Sequence, residues 1–196
     1  PKKYWELYDP QAIDLATNPF VPKNAYSKAL TTFGELRNYE GIPAKGPLDA
    51  ETSKKLRHGY YAAVSFIDAC IGRVLKGLEE SGLSENTIVV VWGDHGWHLG
   101  EHAIWGKHSL FEESLRSPLI VVDPRMKTGR GKTSPAIVET VDIFPTLCDI
   151  AGLQPPKGRA GSSLRPYLDN PAAPARMAIS YRGGAETIRT NRFRLI

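Results

Sequence analysis

Apolar side chains recur at helical spacing from Leu56 to Leu78, through Tyr60, Val64, Ile67, Ile71, Val74 and Leu75. This pattern predicts a long helix, with Asp49 as its N-cap and Gly82 closing it in a left-handed cap. A single stripe of this kind is most simply a core face laid on a sheet. The pattern then changes. "NTIVVVWGD" (Asn86–Asp94) is a β-branched run with no polar alternation. It predicts a strand buried on both faces, as at the centre of a parallel sheet. "SPLIVVDP" (Ser117–Pro124) predicts a second buried strand, stopped by Pro124. Between them "SLFEESLR" (Ser109–Arg116) predicts two helical turns with Ser109 as N-cap. "TVDIFPTLCDIAGL" (Thr140–Leu153) predicts a further helix, with Pro145 in its first turn and Gly152 at its close. Helix, strand, helix, strand in this order predicts an α/β fold with a doubly wound sheet.

Both ends of the chain depart from that regularity. Residues 1–48 hold six prolines and little periodicity, and predict loop with short helical turns over Tyr26–Leu36. So long an irregular stretch is expected to cover a site or to belong to a larger body. From Gln154 the chain becomes rich in Pro and Gly, and "MAISYRG" and "ETIRTNRFRLI" then predict two strands, antiparallel if they form a hairpin. The expected division is therefore 1–153 within one α/β domain, and 154–196 as a connection and the start of a smaller α+β subdomain. The opening "PKKYWELYDP" has no initiator Met and no apolar leader, and the end stops inside a predicted strand. Both features make a piece of a longer protein the expectation. For such a piece, oligomerisation over an exposed sheet edge is one route to stability.

Composition narrows the partners. At 41% hydrophobic and 23% charged residues the chain is ordinary globular sequence. It has no apolar run of the roughly 18 residues that a membrane span needs. Residues 1–156 carry 17 basic against 19 acidic side chains, whereas 157–196 carry 8 against 2. The basic end suits an anionic partner. Few aromatics interleave with it, so nucleic acid is not expected. Cys70 and Cys148 lie in apolar helical patterns and are expected to be reduced core thiols.

The chemistry concentrates in "VVWGDHGWHLGEHAIWGKHSL", Val90–Leu110, which holds four of the five histidines. Doubly wound sheets place ligands at the carboxyl ends of their strands, where Asp94 and His95 stand. Three chemistries compete. His98–His102 spells the H-x-x-E-H of inverted zinc proteases, but Gly96 and Gly100 flank and interrupt the helix that this site requires. Locally hydrogen-bonded histidines are a second reading. The third is a hard-cation site handling an anionic ester. There Asp94 supplies carboxylate oxygen, His95 is the neighbouring ligand, and Lys107 holds an anionic oxygen.

The residues also resemble a known family. A strand ending in Asp94-His95-Gly96, then Leu99-Gly100-Glu101-His102, Trp105-Gly106-Lys107, and Glu112/Glu113 through Arg116-Ser117-Pro118-Leu119 follow in the order found in sulfatases of the alkaline-phosphatase-like superfamily. "VDIFPTLCDIAGLQPP" with "GSSL", and "IRTNRFRLI", resemble later parts of the same pattern. The likeness covers about Asp49 to Ile196. His95 in place of the commoner Asn, with Trp97 after the glycine, is similar to the iduronate-2-sulfatase-like branch. The resemblance implies hydrolysis of sulfate esters of a sugar or glycan at a calcium-bound formylglycine. It implies Asp94 and His95 as calcium ligands, Lys107 on the sulfate, His95 as an alternative partner of sulfate or nucleophile, and Trp97, His98, His102 and His108 lining a sugar pocket. It implies a periplasmic, secreted or lysosomal setting. The chain departs from the pattern in that neither cysteine stands in the C-x-P/S-x-R motif from which formylglycine is made, and in that the family's paired N-terminal metal-site aspartates and the histidine before the "PKKYWELYDP" region are absent. The expectation is a chain carrying half a metal site, without a nucleophile and inactive by itself. The alternatives are a phosphoryl or phosphonate hydrolase of the same superfamily, and a non-catalytic binding remnant.

Overall fold

The structure, a computed structural model, describes residues 1–31 and 34–196. The predicted turns over Tyr26–Leu36 fall partly outside these; on either side, Ser27–Ala29 and Leu36–Asn38 form 3-10 turns. The chain divides into two compact units, residues 1–84 with 95–116, and residues 85–94 with 117–196. Among the described residues no helix is long and apolar enough to cross a membrane.

In the first unit a short helix α1 (Lys2–Trp5) precedes the long helix α2 (Ala50–Glu80). Asp49 caps α2 as expected, its carboxylate accepting from the Thr52 N–H at 2.7 Å. At the other end Gly82 adopts φ +68°. Its N–H donates to the Glu79 carbonyl and that of Leu83 to the Leu78 carbonyl, a Schellman close. The face of α2 that is covered differs from the expected one. His58 is buried, stacked on Trp5 at 3.8 Å with Nε2 2.8 Å from the Trp5 carbonyl, and Tyr8 bonds Ser65. The predicted stripe instead faces solvent, Val64 and Ile67 at 54% exposure and Val74 at 72%. The reason is coverage: among the described residues, the strands of this unit are only the short pair β2 (His98–Leu99) and β3 (Trp105–Gly106), and the N-terminal segment packs on α2 from the His58 side. A one-turn helix α3 (Glu112–Leu115) ends the unit. It is shorter than the two turns expected and is capped at Phe111. Ser109 still accepts from the Phe111 N–H at 3.2 Å, but its hydroxyl is turned into the interior.

In the second unit β1 (Val89–Trp92) pairs with β4 (Leu119–Val122). The pairing is antiparallel, Val89 opposite Val122 and Trp92 opposite Leu119, which corrects the parallel expectation. Trp92, Ile120 and Val122 are exposed, so the sheet is not buried on both faces. An all-apolar run reports affinity for cover but no strand polarity, so only the pairing itself settles direction. Past β4, Asp123 is buried, and the Arg125 guanidinium clasps it and holds its carboxyl below the usual range. A 3-10 turn, Thr140–Asp142, leads into α4 (Ile143–Ile150), with Pro145 in the first turn and Gly152 at φ +71° closing the helix. Asp142 is fully buried. It accepts from the Glu139 N–H at 2.8 Å and the Ser162 N–H at 2.9 Å, and pairs with Arg176. Helix α5 (Arg165–Asp169) follows. The sheet β5 (Ala178–Arg182), β6 (Ala185–Arg189) and β7 (Arg194–Leu195) comes last. The β5–β6 hairpin turns on Gly183 and Gly184, both at positive φ, as a two-residue primed turn requires. The second predicted strand is split by a turn in which the Thr190 N–H donates to the Phe193 carbonyl.

Candidate functional site

In the second unit the β1–β4 ladder continues one step beyond Trp92, the Gly93 N–H donating to the Pro118 carbonyl at 3.0 Å. A Cβ on Gly93 would lie 3.0 Å from Pro118 Cδ, so glycine lets the ring lie against the strand end. Asp94 follows there as an exposed residue.

The first unit holds the rest of the predicted site residues. His95 is exposed, with Nδ1 2.8 Å from the Gly96 carbonyl. A carbonyl only accepts, so Nδ1 is the donor in this bond. Gly96 donates its N–H to the Ser114 carbonyl at 2.8 Å, and the close approach leaves no room for a side chain. Trp97 is half-buried. The Lys107 ammonium lies 5.7 Å from its ring centroid and 3.3 Å from the Glu35 carboxylate. A half-buried cation with one face on an aromatic ring, already holding a carboxylate, is chemically fit to hold an anionic ester oxygen.

The protease-like spelling does not fold as a helix. His98 and Leu99 form β2, Gly100 turns at φ +107°, and His102 and Ala103 lie at positive φ. Burial pushes the Glu101 carboxyl up. The Leu99 N–H at 2.6 Å and the Arg57 guanidinium at 3.1 Å outweigh it, so Glu101 stays below the ordinary range. Arg57 also donates to the Leu99 carbonyl at 2.9 Å, tying the β2–β3 hairpin to α2. His102 stacks on Phe111 at 4.6 Å and faces Glu113 at 3.4 Å, while His108 is exposed.

His98, expected in a sugar pocket, is instead completely buried. Its Nδ1 lies 3.2 Å from the Glu101 carbonyl and its Nε2 2.7 Å from Ser109 Oγ, which lies 2.8 Å from Ser114 Oγ. Burial pushes the imidazole below its ordinary value of 6.5, against the opposing pull of Glu113. The groups facing it are Glu113, Glu101, His102 and, through Glu101, Arg57. A histidine held neutral in the fold but free to protonate when unfolded stabilises the protein above about pH 6.5, and that stability is lost as pH falls below it. Urea midpoints are therefore expected to drop between about pH 7.5 and about pH 5.5, and to drop less in His98→Gln. Equal slopes in the two proteins would exclude His98 as the cause.

Sequence patterning missed Glu35, Arg57 and Ser114 as parts of this arrangement. Glu35 lies in the aperiodic opening segment and carries no local signal. Arg57 sits off the apolar stripe, where a charge reads as surface. Cys70 lies within α2 and Cys148 is buried in α4, both as free thiols. Among the described residues no group of three His, Cys, Asp or Glu side chains gathers as a metal cluster.

Known proteins share this arrangement of elements. The sulfatase family profile matches residues 11–153. Iduronate 2-sulfatase of Homo sapiens is 33% identical over 185 residues, 80% of this chain and 34% of that protein. A solved structure in complex with its substrate D-glucosamine-2-N,6-O-disulfate is 35% identical, with TM-score 0.64 over 74% of this chain and 32% of that one. Phosphonate monoester hydrolase of Agrobacterium radiobacter is 26% identical, with TM-score 0.80 over 99% of this chain and 44% of that one. The chain spans about a third of the length of the iduronate 2-sulfatases it matches. With the profile running through Asp94, the β2–β3 hairpin, Lys107 and α4, the chain belongs to the sulfatase family.

Proposed function

We propose that this chain supplies part of the active site of a sulfuric ester hydrolase acting on a sulfated sugar or glycan. The observation that carries the reading is the half-buried Lys107 ammonium, seated on Trp97 and already holding a carboxylate, inside the matched family region. Its charge would meet a sulfate oxygen and offset the negative charge that grows on the ester oxygen as the S–O bond breaks. Asp94 would give carboxylate oxygen to calcium. His95, whose Nδ1 donates to the Gly96 carbonyl, would hydrogen-bond the nucleophile or the sulfate, a better use of nitrogen than binding so hard a cation. Trp97, His102 and His108 would border the sugar, and the basic residues of 157–196 suit a polyanionic glycan.

Calcium takes roughly six to eight oxygen ligands, so Asp94 fits as one ligand, and among the described residues no cluster of donors gathers to complete the sphere. Neither thiol fits as the source of formylglycine: Cys70 is set in the middle of a helix and Cys148 is buried. The nucleophile is accordingly assigned outside these residues. Residues 1–153 would belong to the catalytic domain and 154–196 to the start of the second subdomain. A second reading, phosphonate or phosphoryl ester hydrolysis, is favoured by the fold match to phosphonate monoester hydrolase over nearly the whole chain.

The test uses the enzyme that unites this chain with a nucleophile-bearing segment. Lys107→Ala is expected to lower kcat/KM for p-nitrophenyl sulfate about 100- to 1000-fold with the melting temperature unchanged. The isolated chain is expected to match a buffer blank. An undiminished rate would remove Lys107 from the site, and preferential cleavage of a phenyl phosphonate ester would install the second reading.

A further inference from the structure

The β2–β3 hairpin raises a question that the motif does not answer: what holds Lys107 in place? Gly106, just before it, is the cross-strand partner of His98. Just after it, the Ser109 N–H donates back to the Lys107 carbonyl at 2.9 Å, closing a tight turn around His108. Ser109 Oγ then meets His98 Nε2 at 2.7 Å. One residue thus grips the backbone on both sides of Lys107.

The direction of each bond in this cluster is fixed. His98 Nδ1 faces the Glu101 carbonyl, which only accepts, so the proton is on Nδ1 and Nε2 is an acceptor. The Ser109 hydroxyl therefore donates to Nε2, and Ser109 Oγ accepts from Ser114 and from the Phe111 N–H. His98, Ser109 and Ser114 are each at most 2% exposed, so every member is satisfied away from water. A buried, fully directed network has one low-energy arrangement, and the turn carrying Lys107 inherits it. Neither His98 nor Ser109 can touch a substrate from this depth.

We propose that His98, through Ser109, is a positioning residue that fixes the turn from which the Lys107 ammonium meets the anionic ester. The proposal rests on Lys107 as the sulfate-contacting group. In the same enzyme, His98→Ala and Ser109→Ala are expected to lower kcat/KM for p-nitrophenyl sulfate about 10- to 100-fold and to weaken inhibition by inorganic sulfate by a similar factor. His98→Gln, whose Oε1 can accept the same hydroxyl, is expected to restore most of both. In a Lys107→Ala background either change should add less than about 2-fold, because its route to the chemistry is already gone. Ser109→Ala removes a single oxygen and carries the test if His98→Ala does not fold. Full additivity with Lys107→Ala, or unchanged inhibition by sulfate, would overturn the proposal. A harmless Lys107→Ala would instead reject the underlying assignment, so the two failures are told apart.

Discussion

Gly96→Ala lowers the melting temperature by about 10 °C, the expected result of roughly 4 kcal/mol lost in a chain of this size. An ideal Cβ on Gly96 lies 1.9 Å from the Glu113 carbonyl oxygen, 2.9 Å from its carbon and 3.2 Å from the Arg116 carbonyl oxygen. All three are backbone atoms, so no rotamer change relieves the clash. Helix α3 must move, and the 2.8 Å bond from the Gly96 N–H to the Ser114 carbonyl is lost with it. The movement also reaches Glu113, which faces His102, and Ser114, which completes the buried network at Ser109. The control is Gly77→Ala on α2, where a Cβ would meet nothing within 4 Å. In a helix interior that change is expected to stabilise by about 0.5–1 kcal/mol. If thermal melts show Gly96→Ala within a degree of wild type, the close approach of residues 96 and 113 is wrong.

Asp142→Ala costs about 3–5 kcal/mol, because it leaves a cation without its partner. Asp142 has no exposure, and Arg176 is about a third exposed with a buried Nε that makes no hydrogen bond. The same carboxylate takes the Glu139 and Ser162 N–H groups, so three donors lose their acceptor together. Nearby, Thr146 Oγ1 donates to the Asp142 carbonyl and accepts from the Leu164 N–H, so the 139–142 turn, α4 and the 161–164 loop form one hydrogen-bonded assembly. Asp142→Asn keeps an acceptor oxygen and should cost visibly less. Urea unfolding of the two variants measures the difference. Equal midpoints for both and for wild type would show that the pair contributes nothing.

The parts of this architecture legible in the sequence are those encoded locally. The Asp49 cap and the closing glycines at 82 and 152 each act over a few residues, and each stands where expected. Asp94, His95 and Lys107 carry a chemical expectation because a motif spells them in order. What stayed hidden depended on distant partners. Val89–Trp92 declares no strand direction, so its antiparallel match to Leu119–Val122 had to be seen. Glu35 on Lys107, Arg57 on Glu101 and Arg176 on Asp142 join segments far apart in the chain, and single charges give no hint of their mates. The burial of His98 was hidden for the converse reason: histidine in a motif suggests reactivity, whereas its neighbours close it off from water.

The outward stripe of α2 has a thermodynamic consequence. The helix has 31 residues, and at about 1.5 Å rise per residue it is about 46 Å long. Val64, Ile67, Val74 and Leu75 along it are already in contact with water in the folded state. Unfolding therefore wets less new hydrocarbon than the length of the chain implies. Since newly wetted hydrocarbon sets both the heat-capacity increment and the denaturant slope, both fall below the usual per-residue values. The stability curve flattens with them, and the fold leans more on its directed polar contacts, those at His98 and Asp142 among them, than a chain of this apolar content ordinarily would.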